Sequence, residues 1–486
     1  MSAGQIRVFN TLSMQKEPLV PLRPHAVGLY VCGPTTYSFI HIGNARTFTV
    51  FDVVVRYLRF RGFAVTYVRN FTDIDDKIIQ AAHALQEDPL TLSERYVKAF
   101  WEDADALKLL RPDFAPKVTD HIPEILTMIQ KLLDEGVAYA SQGDVYFSVS
   151  QYPAYARLSH RNLEELRAGE RVMAGDQKRE PLDFALWKAA KPGEPAWDAP
   201  WGRGRPGWHI ECSAMSEKFL GVSFDLHGGG LDLIFPHHEN ELAQSEASSH
   251  APLAKYWMHC NFLDLEGAKM SKSLGNVVRL RDALEQVDAE ALRYFLLSAH
   301  YRTPVTFADK SLHDADARLE YFYETLEKVD GRLAGKDLPA GPFHGDPDGH
   351  LARFQAALDD DFNVPGGIAV LSAVFNELNE LTDKPPVKDK PMVARTLKRL
   401  RQHVDAFAQV LGMLEEVPRA WLQRRRDRAV KHRGIEVAQV ERLLADRLAA
   451  RAAKDFSRAD ALRGALKAMG VEVMDTAAGT TWKVSP

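Results

Sequence analysis

Long apolar runs are missing from this sequence of 486 residues. No stretch approaches the roughly 20 apolar residues that a bilayer-spanning helix requires. The first residues, MSAGQIRVFNTLSMQKEP, also lack the apolar core of a secretory signal. We therefore expect no membrane segment and a cytoplasmic location.

Cysteine is scarce. The chain has three cysteines, Cys32, Cys212 and Cys260, which lie far apart in the sequence. This spacing excludes a disulfide framework and is typical of a protein from a reducing compartment. If the cysteines have a function, metal binding is favoured over cross-linking.

Positive charge is not in excess either, since the formal net charge is -5 at pH 7. Proteins that bind nucleic-acid phosphates usually carry a basic surface, so any such contact here would depend on a local patch. The length exceeds what one hydrophobic core usually supports, and several domains are therefore expected.

What the sequence does contain is a strand, helix, strand pattern near its start. GLYVCG and AVTYVRNF are predicted as short strands, and FTVFDVVVRYLRFRG between them has the apolar spacing of a helix that ends at Gly62. Such alternation favours a parallel sheet, which binds ligands at the carboxyl ends of its strands. Cys32 and the loop after it would lie at that edge.

Later segments indicate how the rest of the chain is organised. A helix, a hairpin and a polar tract form an insertion, after which the α/β pattern resumes; long amphipathic helices then indicate a bundle. We predict a catalytic domain that is split between residues 1–119 and 201–260. The insertion at 120–200 is too short for an editing domain. A loop region at 261–310, a helical bundle at 311–417 and a small C-terminal unit at 418–486 would follow.

Two short motifs could carry phosphate chemistry. His41-Ile42-Gly43-Asn44 follows the first strand and its loop, and Lys269-Met270-Ser271-Lys272-Ser273 comes much later. A helix start offers N–H groups to phosphate, while imidazole and lysine groups offset developing negative charge. Taken singly, His41 could be a helix cap and the lysine motif a solvated loop.

A second set of residues could bind a metal. His237 and Glu241 lie four residues apart and would share a helix face, and two thiolates, from Cys32 and Cys212, would complete a four-ligand zinc site. On spacing alone, buried cysteines and a satisfied histidine at a helix start are the simpler interpretation.

Several longer segments together resemble the cysteinyl-tRNA synthetases, which are class I aminoacyl-tRNA synthetases. These segments occur in the family's order: VCGPTTYSFIHIGNART, RNFTDIDDKI, GWHIECSAMS, DLHGGGLDLIFPHHENELAQSEA and AKMSKSLGN, with similarity continuing to GTTWKV. The resemblance implies an α/β fold, with a Rossmann-like class I synthetase catalytic domain that contains an insertion. An α-helical bundle and a small C-terminal α+β unit would follow.

The resemblance also implies site residues. One zinc ion per chain would be held by Cys32, Cys212, His237 and Glu241, with His238 and Glu239 as neighbours. Catalysis would involve His41, Lys269 and Lys272, and ATP would also meet Gly43, Asn44, Gly229 and Asp232. Asn44 stands at the position where the family's HIGH motif (His-Ile-Gly-His) has its second histidine. The cysteine pocket would include Gly33, Thr72 and Trp208, whereas Cys260 matches no ligand position and is expected in the core.

The implied reaction is the activation of L-cysteine by ATP, with Mg2+, and its transfer to tRNA-Cys. A monomer is expected. Arg424, Arg425, Arg428 and Trp482 are the candidate tRNA contacts, with a solvated helix face as the alternative for the arginines. Two other functions stay open: a cysteine ligase that acts on an amino-sugar in low-molecular-weight thiol synthesis, and a non-catalytic zinc or RNA-binding module.

Overall fold

The computed structural model describes residues 5–165, 177–265, 268–269, 277–476 and 479–484. Two compact units divide the chain. The first comprises Met1–Leu312, Asp346–Val374 and Ala406–Met413, and the second His313–Gly345, Phe375–Asp405 and Leu414–Pro486. Within the described residues, no helix is long and apolar enough to cross a membrane.

The described strands are short and fall into several small sheets. In chain order they are β1 Arg7–Asn10, β2 Gln15–Pro18, β3 Ala26–Val31, β4 Ala64–Arg69, β5 Ala138–Ser141, β6 Asp144–Phe147, β7 Phe184–Ala189, β8 Gly204–Pro206, β9 Phe224–Gly230, β10 Ala254–Cys260, β11 Leu263–Leu265, β12 Ala268–Lys269, β13 Val305–Phe307, β14 Val471–Thr476 and β15 Gly479–Val484.

Helices make up most of the remaining described structure. In the first part of the chain they are α1 Ile42–Phe60, α2 Asp76–Leu85, α3 Pro89–Ala106, α4 Ile122–Asp134, α5 Trp208–Leu220, α6 Glu239–Ser249, α7 Leu280–Gln286 and α8 Ala289–Leu296. Those that follow are α9 Asp309–Leu333, α10 Asp348–Asp359, α11 Val364–Asp383, α12 Lys390–Leu411, α13 Pro418–Arg433, α14 Val437–Ala452 and α15 Phe456–Ala468.

The central sheet of the first unit is parallel and has the strand order β10-β9-β3-β4. Its two middle strands, β3 and β9, are largely buried, as is usual for parallel strands that are covered on both faces. The predicted strand, helix, strand opening is confirmed as β3, α1 and β4. The helix is closed by Gly62, whose φ of 85° favours glycine.

The segment predicted as an insertion contains α4 and a separate antiparallel sheet of order β5-β6-β7-β8. The predicted hairpin is confirmed as β5 and β6. The turn between these two strands contains Gln142 and Gly143, both with positive φ, as two-residue hairpin turns require. One face of α4 is apolar and buried, which anchors this sheet to the core that also contains α5.

The second unit includes α13, α14 and α15, followed by the antiparallel pair β14 and β15. A small core holds the end of the chain together, with Val440, Leu466 and Val471 almost inaccessible to solvent. The expected small C-terminal α+β unit is thereby confirmed, whereas the predicted domain boundaries stay predictions.

Candidate functional site

A cavity of about 330 Å³ opens at the carboxyl ends of the parallel strands. It is lined by the loop after β3, the start of α1, the end of β9 and the residues that follow β10. This is the edge at which an open parallel sheet gathers its loops, so the position expected for Cys32 is confirmed. We call this space the central cavity.

Four candidate metal ligands converge beside the central cavity, and we call them the Cys-His-Glu cluster: Cys32, Cys212, His237 and Glu241. All four are buried, and one ligand atom from each lies within 4.8 Å of the others. The Sγ atoms of Cys32 and Cys212 are 3.7 Å apart. His237 Nε2 lies 2.9 Å from Glu241 Oε1, which confirms that these two residues share a face.

The helices that present the cluster have an unusual distribution of polarity. In α5 the buried positions include Glu211, Cys212 and Ser213, and in α6 they include Glu239 and Glu241. Burying polar groups costs free energy unless they find partners. These two helices therefore hold a polar site inside the fold.

The pKa values of the cluster's members are shifted in different directions, because the members hydrogen-bond to one another. Burial raises the pKa of Cys32, whose thiol donates to Cys212. Burial alone would raise the pKa of Cys212, but the hydrogen bond from Cys32 and the contact with His237 outweigh it and lower that pKa. Burial likewise opposes the charge on His237, yet Glu241 and Cys212 raise its pKa to about 10.

A second layer of histidines surrounds the cluster, and the sequence interpretation missed most of it. His227 Nε2 lies 2.8 Å from Glu241 Oε2, and His209 Nδ1 lies 3.0 Å from His237 Nδ1. Behind them, His238 and His259 are joined at 2.8 Å. The only available signal was that several histidines occur near the ends of β9 and β10.

These histidines create an overlapping second set of potential ligands. Cys32, His227, His238 and Glu241 also bring four ligand atoms within 4.8 Å of one another. The side chain of His227 lies fully buried against Trp257, with ring centroids 4.4 Å apart.

Of the three predicted cysteine-pocket residues, Gly33 and Trp208 line the central cavity, whereas Thr72 is buried and is not part of the described lining. A Cβ atom at Gly33 would come within 1.7 Å of the carbonyl oxygen of Asn70, so only glycine fits there. The Thr72 hydroxyl donates to Glu211 Oε2 at 2.8 Å. Trp208 lines the central cavity and stacks on His237, with ring centroids 4.2 Å apart.

The predicted ATP-binding residues lie around the start of α1 and the end of β9. His41, Gly43, Asn44 and Asp232 line the central cavity. Gly229 is buried and is not part of the described lining; a Cβ atom there would approach the ring of His238 to 2.8 Å.

Three residues singled out in the sequence remain to be placed: the two lysines of the lysine motif and the third cysteine. Lys269 belongs to β12, of which only the backbone is described, and Lys272 lies outside the described residues. Cys260 is buried, as expected, but it also lines the cavity.

The candidate tRNA contacts lie in the second unit, on α13 and β15. Arg425 bonds Asp316 and Glu320, both at 2.7 Å, and Arg424 pairs with Glu416. Arg428 lies one turn further along α13. The guanidinium of Arg426 lies over the ring of Trp482, 4.6 Å from the ring centroid. Part of the basic charge predicted for this helix is therefore neutralised by neighbouring carboxylates.

Comparison with known proteins covers nearly the whole chain. The family model described as "tRNA synthetases class I (C) catalytic domain" matches residues 18–317, the DALR domain model matches 353–415, and "Cysteinyl-tRNA ligase anticodon binding domain" matches 437–482. A cysteine–tRNA ligase of Anaeromyxobacter dehalogenans (strain 2CP-C) is 53% identical over 485 residues, covering 99% of both chains. One from Geobacter sulfurreducens is 48% identical over 483 residues, with the same coverage.

Solved structures share the fold at lower identity. The methionyl-tRNA synthetase of Mycobacterium tuberculosis, in complex with methionyl-adenylate, aligns with a TM-score of 0.59 at 16% identity, covering 79% of this chain and 90% of that one. The LeuRS of Agrobacterium radiobacter K84, in a ternary complex with tRNA and LeuAMS, aligns with a TM-score of 0.57 at 13% identity, covering 81% and 85%. These likenesses confirm the predicted class I fold.

Proposed function

The chain belongs to the cysteine–tRNA ligases, a family of class I aminoacyl-tRNA synthetases, and on this premise we propose that the Cys-His-Glu cluster holds one zinc ion. The enzyme uses ATP to activate cysteine and transfers it to tRNA. A cysteine ligase of thiol synthesis is not supported, because the full-length relatives are cysteine–tRNA ligases and the C-terminal match is to an anticodon binding domain.

The observation that carries the zinc proposal is the convergence of four buried side chains whose ligand atoms lie within 4.8 Å of one another. Thiolate sulfur, imidazole nitrogen and carboxylate oxygen are the ligand types that zinc prefers. The overlapping set through His227 and His238 contains only one thiol, whereas the Cys-His-Glu cluster supplies two. His209 and His227 contact His237 and Glu241 and would orient them as outer partners.

Zinc, when bound, would accept the sulfur of cysteine as a further ligand and favour its thiolate form, which the harder and less acidic hydroxyl of serine matches poorly. An apolar pocket distinguishes similar side chains by only about 10- to 200-fold. The chain's own residues would complete recognition. Trp208 would form a wall, Gly33 would contact the substrate through its backbone, and the oxygen of Thr72 would accept from the substrate ammonium because its hydrogen goes to Glu211.

Metal analysis of a Cys212→Ser variant tests this assignment. We expect zinc to be lost and cysteine-dependent ATP–pyrophosphate exchange to disappear, while ATP binding is largely retained. Cys260→Ser serves as the control for metal content, because Cys260 lies outside the cluster. Full cysteine-dependent exchange by the Cys212→Ser variant after chelation would contradict the proposal.

At the other end of the cavity, we assign His41, Lys269 and Lys272 to the phosphates of ATP, which enters with Mg2+. The carboxylate of cysteine attacks the α-phosphate, and pyrophosphate leaves with the electron pair of the broken bond. His41 lines the cavity at the start of α1, where helix N–H groups also favour an anion. Gly43 and Asn44 would contact the nucleotide, and Gly229 and Asp232 would border the adenosine, with Asp232 facing the ribose.

A Lys272→Ala variant tests the phosphate assignment. It should slow adenylation more than it weakens cysteine binding, because the lysine would offset charge that develops on the departing pyrophosphate. Single-turnover adenylation at the wild-type rate would remove Lys272 from this role.

For tRNA-Cys, we propose contacts from α13 and β15 through Arg424, Arg425, Arg428 and Trp482. Arg428→Ala should weaken the binding of a tRNA transcript and lower the slope of log affinity against log salt by about one, as expected for one lost phosphate contact. An unchanged slope would remove Arg428 from the interface. We also propose that the protein acts as a cytoplasmic monomer, which sedimentation velocity and cell fractionation would test.

A further inference from the structure

The charges that line the central cavity are unevenly matched to its substrates. The reaction brings together the carboxylate of cysteine and the triphosphate of ATP, and both groups are anionic. Among the described residues that line the cavity, Lys77 is the only lysine or arginine. Asp232, the one carboxylate in the described lining, has the opposite sign.

The position of Lys77 is set by the start of α2. Asp75 caps this helix, and its carboxylate accepts the backbone N–H of Lys77 at 2.8 Å. The Nζ atom then lies 5.9 Å from the ring centroids of both Tyr37 and Trp208. Both rings line the central cavity, so the ammonium group lies within cation–π distance of two of its aromatic walls.

Trp208 relates Lys77 to the substrate end of the cavity. Its ring stacks on His237, a member of the Cys-His-Glu cluster, with an interplanar angle of 23°. Lys77 therefore lies near the end of the cavity where cysteine would bind. A cysteine molecule has its carboxylate two carbon atoms from its sulfur, so a cation beside Trp208 is well placed to meet that carboxylate.

The acidic neighbours of Lys77 do not neutralise it. Asp76 bonds Lys188 Nζ at 2.5 Å and also pairs with Arg205. Over residues 5–165, 177–265 and 277–476, no carboxylate forms an ion pair with Lys77. The lysine is exposed to solvent, so its ammonium group can move toward a ligand without losing a structural partner.

We propose that Lys77 binds the carboxylate of the substrate cysteine and holds it for attack on the α-phosphate of ATP. The inference rests on the proposed function, because the Cys-His-Glu cluster defines the cysteine end of the cavity. A carboxylate oxygen forms the new bond to phosphorus, and the bond to pyrophosphate breaks. Lys77 donates hydrogen bonds throughout and transfers no proton, so it stays in contact as charge moves onto the α-phosphate.

Steady-state exchange with a Lys77→Met variant tests the proposal. The KM for cysteine should rise by about 10- to 100-fold, the usual range for losing a charged hydrogen bond, while the KM for ATP stays within about twofold. Lys77→Arg should recover most of the loss. Lys188→Met removes a nearby lysine that is already paired with Asp76, and it should leave both KM values unchanged.

Inhibition by cysteamine, which has the thiol and amine of cysteine but no carboxylate, separates this contact from thiol recognition. Wild type and Lys77→Met should bind cysteamine equally well. An increase in the KM for ATP alone, or equal weakening of cysteine and cysteamine, would overturn the proposal. If instead the wild type bound cysteamine no better than ethanolamine, the thiol recognition proposed for the Cys-His-Glu cluster would be wrong, rather than the role proposed for Lys77.

Discussion

His41 and Asn44 cap the start of α1 from both directions. His41 Nδ1 accepts the backbone N–H of Asn44 at 3.2 Å, and Asn44 Oδ1 accepts the backbone N–H of His41 at 3.3 Å. This reciprocal pair is a capping box. Because Nδ1 is the acceptor, the neutral imidazole carries its proton on Nε2, which makes that atom a donor. Asn44, at the position where the family's motif has its second histidine, thus orients the candidate catalytic residue His41.

Replacing Asn44 with alanine should impair both the cap and the orientation of His41. We expect a loss of about 1 kcal/mol in the free energy of unfolding, as for other helix caps. Adenylation should slow by about 10- to 100-fold, because small displacements of a positioned group are costly. Urea unfolding and single-turnover kinetics measure the two effects.

A cap whose residues are not part of the described cavity lining provides the control for Asn44→Ala. Asp88 caps α3 by accepting the N–H of Thr91 at 2.8 Å. Asp88→Ala should cost similar stability and leave the adenylation rate unchanged. Equal rates for the two variants would mean that Asn44 has a structural role alone.

Arg46 is a fully buried guanidinium on α1 that bonds only backbone oxygens in its described hydrogen bonds. Its four acceptors are the carbonyl groups of Asn261, Phe262, His300 and Thr303. Strand β11 starts directly after Phe262 and pairs with β12, to which Lys269 belongs. Arg46 therefore connects the helix that begins beside His41 to the segment that leads into β11, the strand that pairs with β12 and hence with Lys269.

Arg46→Lys should lose most of these bonds, since an ammonium group cannot reproduce the guanidinium fork. We expect destabilisation by about 2–4 kcal/mol from carbonyl groups left without donors. Adenylation should slow while the KM for cysteine changes little. Arg56→Lys, on the same helix but bonded to Asp52 and the carbonyl of Lys108, should lower stability without slowing adenylation, and a similar slowing in both variants would disprove the connection.

Asp52 should make stability depend on pH. Burial alone would raise its pKa, but Arg293 and Arg56 outweigh burial and hold the pKa below its usual value. A carboxyl whose folded pKa is depressed stabilises the fold above the unfolded pKa of about 3.9, and this contribution is lost as the pH falls through the folded value.

Asp52→Asn should therefore be destabilised by about 3–5 kcal/mol at pH 7, because Arg293 loses its buried partner. The difference between the variant and the wild type in the free energy of unfolding should be the same at pH 5 as at pH 7 and should be smaller at pH 3.5. Urea unfolding at these three pH values measures it, and a difference that does not change with pH would contradict the assignment.

Arg425 and Arg424 are neighbours in sequence but should differ in their effect on stability. The Arg425 side chain is 13% exposed and bonds Asp316 and Glu320, whereas that of Arg424 is 43% exposed and pairs with Glu416. Arg425→Met should cost about 1–3 kcal/mol and Arg424→Met at most about 1 kcal/mol. Chemical unfolding of the two variants checks this, and equal losses would refute the distinction.

The sequence alone determined the features that depend on neighbouring residues. Apolar runs and helical spacing located β3, α1 and β4 correctly, and the i, i+4 spacing placed His237 and Glu241 on one face. The longer segments, in their order along the chain, were sufficient to identify the family. Local periodicity and ordered motifs support such predictions, because each depends on a short stretch of chain.

Only the tertiary structure decided which distant residues meet. Cys32 and Cys212 are separated by 180 residues, and their sulfur atoms approach only because β3 and α5 pack around one core. The buried partners of the cluster, the carbonyl acceptors of Arg46 and the aromatic neighbours of Lys77 have no periodic signal. Their positions follow from burial, which must satisfy each polar group with whatever partner the packed chain brings near.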